Sequence, residues 1–135
     1  MIMQLKDKVA IVPGAGQGIG KAIALDLASN GAIVLVTDID YKLAKQTSAL
    51  IGNNSECMQV DIANLDQVQK MIDICLQNFG KLDILVNNAG VTRFVDIMGV
   101  TVEDWDLMHS VNARGTFFAM QFAAKQMIDL SLIHI

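Results

Sequence analysis

Short apolar runs alternate along this chain with longer stretches whose apolar residues recur every three or four positions. Val9-Ala-Ile-Val12 has the pattern of a first buried strand, followed by a glycine-rich turn from Gly14 to Gly20. Ile19, Ala22, Ile23, Ala24, Leu27 and Ala28 then form a helical stripe that runs to Asn30, with Gly31 where a helix C′ residue belongs. Ala32 to Thr37 is a second buried strand, and Asp40 opens a helix that Gly52 ends after Ile51. Ser55 to Val60 is a third strand. Asn64-Leu-Asp-Gln67 is a variant of the capping box and starts a helix that runs to Phe79, with Gly80 behind it. Ile84 to Asn87 is a fourth strand. Thr101 opens a helix through Trp105, Met108 and Val111, and a further helix spans about Thr116 to Ile128. Strands separated by helices predict an α/β fold: a doubly wound parallel sheet of the Rossmann type, truncated to about four strands in the order 3-2-1-4, in three αβα layers.

The chain has 135 residues, the size of one ordinary domain. Apolar residues make up 53% and charged residues 18%, which excludes a disordered chain. Ten Lys and Arg are scattered against a net charge of −4, so no basic stripe for nucleic acid is present. Apolar runs are far shorter than the roughly 20 residues of a membrane span, and the N-terminus lacks a signal-peptide core. These features predict a cytoplasmic protein with neither a nucleic-acid nor a membrane partner. Cys57 and Cys75 carry no ligand spacing, so they are read as two buried thiols, with no metal site and no disulfide.

The turn at Gly14, Gly16, Gly18 and Gly20 lies between a strand and a helix, where free N–H groups and the helix dipole favour an anion. Glycines let backbone approach a pyrophosphate without Cβ clashes. Asp38 follows Gly20 by 18 residues, at the end of the second strand. A carboxylate there can accept from adenosine ribose hydroxyls and would repel a 2′-phosphate. NAD(H) is therefore favoured over NADP(H), and Asp40 is left to cap the helix.

With those residues in hand, the chain resembles the short-chain dehydrogenase/reductase family. The spacing Gly14…Gly18-Ile19-Gly20 is similar to that family's nucleotide motif, and Asn87-Asn88-Ala89-Gly90 to its second hallmark. Asp61-Ile62 matches its adenine-flanking pair, and Asn112 its helix asparagine. The resemblance runs from about Leu5 to Ile128. It implies phosphate contacts from Gly14, Gln17, Gly18, Ile19 and Gly20, and an adenine held by Asp61 and Ile62. It implies a nicotinamide-side ribose lined by Asn88, Ala89 and Gly90, with Asn87 tying the fourth strand to the glycine loop. Asn112 would be catalytic, holding a water in a proton relay to a lysine. The bland readings are a helix-capping Asp61, turn chemistry at Asn88 and a helix interruption at Asn112.

Two departures stand out. Pro13 replaces the hydroxyl residue that usually opens the glycine motif, removing a hydroxyl and an N–H. The family's catalytic Ser and Tyr-x-x-x-Lys have no counterpart after Asn112. Tyr41-Lys-Leu-Ala-Lys45 matches by spacing alone and belongs to the adenosine side. The expectation is that residues 1–128 are an incomplete dinucleotide-binding domain, that 129–135 are a tail foreign to the fold, and that the fourth strand's free edge makes the chain poorly soluble. Outside the motifs, Trp105 is read as a packing residue, and the eight methionines as core filler, with Met98, Met108 and Met120 bordering the substrate region. Arg93 is read as either a substrate-anion contact or a solvated surface residue.

The reading implied is an NAD(H)-dependent oxidoreductase that acts on an alcohol or ketone of the polyol or sugar type, a homodimer or homotetramer at full length. The alternatives are a 3-oxoacyl-carrier-protein reductase and a non-catalytic NAD-binding module.

Overall fold

The computed structural model describes residues 4–129. Four strands form one parallel sheet: β1 (Val9–Pro13), β2 (Ile33–Asp38), β3 (Ser55–Gln59) and β4 (Ile84–Leu85), in the order β3-β2-β1-β4. The helices are α1 (Gly18–Ser29), α2 (Tyr41–Ile51), α3 (Leu65–Phe79), α4 (Val102–His109) and α5 (Thr116–Asp129). The predicted architecture and strand order are therefore present. Of the tail, residues 130–135 lie outside the described residues, and Asp129 closes α5.

Parallel strands covered on both faces must be apolar on both faces, and every residue of β1 is buried. Alternate side chains sort into two cores. Val9, Ile11 and Leu35 join residues of α3 and α5 on one face, including Met71, Ile72 and Ala119. Val12, Val34 and Val36 join Ala24 of α1 and Ala44 of α2 on the other. The register Ile11↔Leu35 and Val12↔Val36 keeps each pair on its own face. Each such aliphatic side chain contributes about 2 kcal/mol by leaving water.

The predicted caps are where polar side chains meet free helix N–H groups. Asp40 accepts from Lys42 and Leu43, Asn64 from Asp66 and Gln67, and Thr101 and Asp104 complete a reciprocal box. The Asn64 motif differs from a true box, because Gln67 Oε1 accepts from the Asp61 N–H at 2.8 Å rather than from Asn64. It locks the strand-to-helix turn instead of the cap.

Several expectations are corrected. β4 is in register with β1 at Ile84 and Leu85, the Val86 N–H still donates to the Ile11 carbonyl, and the chain turns away before Asn87. The two last helices are not separate: Ser110–Gly115 is π-helical and joins α4 to α5 as one rod. Gly115 lets this rod pack against the segment after β3, since a Cβ there would collide with the Ile62 carbonyl. A short 3-10 turn at Ile97–Gly99, started by the Asp96 side chain, was not foreseen. Met98 is 90% exposed rather than core filler, whereas Met71 is fully buried. Trp105 is exposed and stacks on His109 with ring centroids 4.0 Å apart. Only Cys75 is buried; Cys57, on the edge strand β3, is half-buried.

Asp83 anchors the start of β4. Its carboxylate accepts from the Val9 N–H at 2.9 Å and faces Lys81 at 3.1 Å and Lys8 at 3.6 Å. Burial opposes ionisation, but the Val9 N–H and the two lysines outweigh it and hold the carboxyl below its ordinary range. A lowered folded pKa gives stability that is complete above the unfolded value near 4 and is lost as pH falls through the folded value. Asp83→Ala is expected to cost about 2 kcal/mol near neutral pH, the gap to wild type narrowing below about pH 4, as read by urea unfolding. An unchanged gap across that range would count against the assignment.

Burial, with lesser help from the Asp83 and Glu56 charges, pushes the Cys75 thiol up to about 12. Under mildly alkaline conditions a disulfide reagent should modify Cys57 first and reach Cys75 only on unfolding, as peptide mapping of the labelled chain would report.

Candidate active site

The carboxyl ends of the four strands open into a cleft of about 320 Å³. β1 has β2 on one side and β4 on the other, and chain progression reverses between β1 and β4. Ligands of open α/β sheets bind at such a switch point.

The floor is the glycine turn. Gly14 and Gly18 have φ of +70° and +57°, conformations that glycine adopts without penalty. Gly20 works through space rather than conformation. A Cβ there would meet both the Asn88 side chain and the Gly14 carbonyl. A Cβ on Gly16 would come 2.6 Å from Leu43 Cβ and 2.7 Å from Asp38 Oδ2. Gln17 is the N-cap of α1, with an extended backbone and no side-chain cap. No acidic residue stands in the first turn, so its N–H groups remain free for an anion.

Asp38 Oδ2 accepts from the Gly16 N–H at 2.9 Å, and Oδ1 from the Asp40 N–H at 3.0 Å. It therefore clasps the glycine turn to the end of β2 while lining the cleft. Beyond β3, Asp61 Oδ1 accepts from the Ala63 N–H at 2.9 Å, so this carboxylate shapes a turn and the helix cap falls to Asn64. Ile62 is buried beside it and lines the same wall.

On the β4 side, the tie expected of Asn87 is made by Asn88, which also lines the cleft. Asn88, not Asn87, ties the loop to the glycine turn, donating from Nδ2 to the carbonyls of Pro13 (3.1 Å) and Gly14 (3.0 Å). Proline at position 13 does not prevent this tie, because it runs through backbone carbonyls, which proline retains. Asn87 lies instead on the outer side of β4, beside Met120 and Ala123. Ala89 and Gly90 line the cleft.

Asn112 sits in the π segment, and its amide makes a two-point clamp. Oδ1 accepts from the Val91 N–H at 2.8 Å and Nδ2 donates to the Val91 carbonyl at 2.7 Å. π turns interrupt helices at functional sites more often than elsewhere.

Gly14, Gln17, Asp38, Asp61, Ile62, Asn88, Ala89 and Gly90 thus share one cleft. Gly18 and Ile19 open α1 beside it, with Ile19 75% exposed, and Gly20 and Asn112 act from behind. Ile39, Val60, Val91 and Val111 also line the cleft and were not singled out. Ile39, 65% exposed directly after Asp38, was the one with a readable signal. Tyr41 begins α2, and its phenol is held above its ordinary pKa, chiefly by the neighbouring Cys57 thiol. Proton transfer by a tyrosine calls for the opposite shift. Arg93 faces Asp104, with Nε 3.6 Å from a carboxylate oxygen.

The family model for short chain dehydrogenases matches residues 8–132. The chain belongs to the short-chain dehydrogenase family. A galactitol 2-dehydrogenase of Agrobacterium fabrum is 35% identical over 126 residues, covering 93% of this chain and 49% of that protein. A 3-oxoacyl-[acyl-carrier-protein] reductase of Thermotoga maritima is 35% identical over 130 residues, covering 93% and 52%. The solved 3-ketoacyl-(acyl-carrier-protein) reductase of Brucella melitensis, complexed with NADH, superposes with a TM-score of 0.90 at 32% identity, covering 93% of this chain and 52% of that one. This short-chain dehydrogenase chain spans about half the length of the curated relatives it matches. Among its described residues, no helix is long and apolar enough to cross a membrane.

The two kinds of glycine separate in their cost. Gly18→Ala meets no neighbour and should lose about 1 kcal/mol to its left-handed backbone. Gly20→Ala has to displace Asn88 or the Gly14 carbonyl and should lose at least about 2 kcal/mol. Chemical denaturation of both variants checks the order.

Proposed function

We propose that the chain binds NAD(H) across the strand tips and forms the cofactor-binding part of an oxidoreductase acting on an alcohol or ketone. The observation that carries this is the glycine cradle at the start of α1, clasped by Asp38 and closed by Asn88. Gly14, Gly16 and Gly20 let the turn close on Asn88, Asp38 and Leu43, and the free N–H groups at the start of α1 lie beside the cleft.

In this reading Gly14, Gln17, Gly18, Ile19 and Gly20 hold the phosphates, and Asp38 takes the adenosine ribose. Asp61 and Ile62 flank the adenine, and Asn88, Ala89 and Gly90 the second ribose. When bound, the nicotinamide supplies the acceptor or donor of hydride. Asn112 holds the Val91 backbone at the β4 end of the cleft, and in this reading it also holds a water in the proton relay. The chain's single tyrosine, Tyr41, opens α2 on the adenosine side, so this chain is expected to bind dinucleotide with little or no turnover.

A polyol or sugar is the first substrate class, supported by the likeness to the galactitol dehydrogenase and by the preference for NAD at Asp38. A 3-oxoacyl substrate is the second, favoured by the apolar, exposed Phe94, Ile97 and Met98 on the loop that follows Val91. The complete protein is read as cytoplasmic and as a dimer or tetramer; exposed Trp105, Phe117 and Met120 on α4 and α5 support the assembly.

Calorimetric titration of the chain with NAD+ and NADP+ tests the reading. NAD+ should bind at least about tenfold tighter, a difference of about 1.4 kcal/mol. Equal affinities would remove the ribose role of Asp38, and failure to bind either would remove the reading.

A further inference from the structure

We propose that Thr47 on α2 is a positioning residue for the glycine turn. Its buried hydroxyl turns one peptide so that an N–H, rather than a carbonyl oxygen, meets the diphosphate. The proposal rests on the dinucleotide reading and names a side chain outside the cleft on which the phosphate contacts depend.

Thr47 is fully buried, and a buried hydroxyl needs a partner. Threonine within a helix commonly bonds a carbonyl one turn back on its own helix. Here Oγ1 instead donates to the Gly16 carbonyl at 3.2 Å, across 31 residues of sequence. Leu43 lies one turn earlier on the same face of α2. A Cβ on Gly16 would stand 2.6 Å from Leu43 Cβ. Glycine at position 16 is therefore what lets this face of α2 approach the turn and the hydroxyl reach it.

The preceding part of the turn is fixed from β2. The Ala15 N–H donates to the Thr37 carbonyl and the Gly16 N–H to Asp38 Oδ2, each at 2.9 Å. The next peptide joins Gly16 to Gln17, and Thr47 holds its carbonyl end. Asp38 grips only the peptide before it, so the two controls are separate. A trans peptide carries its C=O and N–H on opposite sides. With the Gly16 carbonyl held against α2, the Gln17 N–H is directed away from α2. Gln17 is the N-cap of α1 and lines the cleft. Glycine offers little resistance to rotation of this peptide. Turned the other way, the peptide would set the negative end of its dipole beside an anion.

The test is calorimetric titration of the full chain with NAD+, in the wild type and in Thr47→Val, Thr47→Ser and Ser48→Ala. Valine keeps the branched shape and removes the hydroxyl, whereas serine keeps the hydroxyl. Ser48 bonds Ser55 at 2.8 Å from the same helix, so Ser48→Ala loosens α2 without touching the turn. Thr47→Val should lose about tenfold in affinity, while Thr47→Ser and Ser48→Ala stay within about threefold of wild type. In the 15N-labelled wild-type chain the Gln17 amide proton resonance should move when NAD+ binds, and in Thr47→Val that movement should be lost. Circular dichroism establishes folding, and if Thr47→Val does not fold, the wild-type Gln17 resonance decides. NAD+ binding by folded Thr47→Val within about threefold of wild type overturns the proposal. An equal loss in Thr47→Ser or Ser48→Ala overturns it too, as does a wild-type Gln17 resonance that bound NAD+ leaves in place. In each of these cases the wild-type chain still binds NAD+, and the dinucleotide reading stands. A wild-type chain that does not bind NAD+ removes both.

Discussion

The side-chain amide of Asn88 is the contact on which the cleft depends. Where β1 runs into the glycine turn, its carbonyls lose their ladder partners, because β4 ends at Leu85. Asn88 Nδ2 has two hydrogens and gives them to Pro13 and Gly14, the two carbonyls left without partners. Buried acceptors without partners are costly, so the amide fixes the turn and the loop after β4 to one point. Gly20 then has to be glycine, because α1 begins against that same amide. Two segments more than seventy residues apart are thus joined at one side chain.

The tips of β2 and β3 repeat one device. Asp38 after β2 accepts from the N–H two residues on, and Asp61 after β3 does the same. A separate residue, Asp40 or Asn64, then caps the helix that follows. Because capping is delegated, the two carboxylates remain at the cleft wall. Their orientation is set by backbone N–H groups before any ligand arrives, which is the pre-organisation a binding site requires.

Much of this was legible in the residue pattern. Apolar runs marked the strands, and Asp40, Asn64 and Thr101 marked the helix starts because only short polar side chains satisfy free N–H groups. Gly31, Gly52 and Gly80 marked element ends and all have positive φ. The motif residues did assemble around one cleft. Which of two adjacent asparagines faces the glycine turn was not legible. It depends on where β4 stops pairing, and a two-residue strand carries too little periodicity to show that. The π segment was also hidden, since Ser110 to Gly115 contains too few apolar residues to reveal a change of helical period. Cys57 was misread as buried because a small apolar residue on an edge strand has the same local pattern as one inside.

The π turn between α4 and α5 has a consequence for how this rod tolerates change in length. One residue more than an α-helix needs is accommodated there, so every later side chain is rotated by about 100° relative to an uninterrupted helix. That rotation is what turns Ala119 and Ala123 towards the sheet and Phe117 and Met120 away from it. A single residue lost between Ser110 and Gly115 would restore regular winding and keep the facing of α5, whereas one lost from α5 itself would swing its large side chains inward. The apparent irregularity is the phase setting of the whole C-terminal helix.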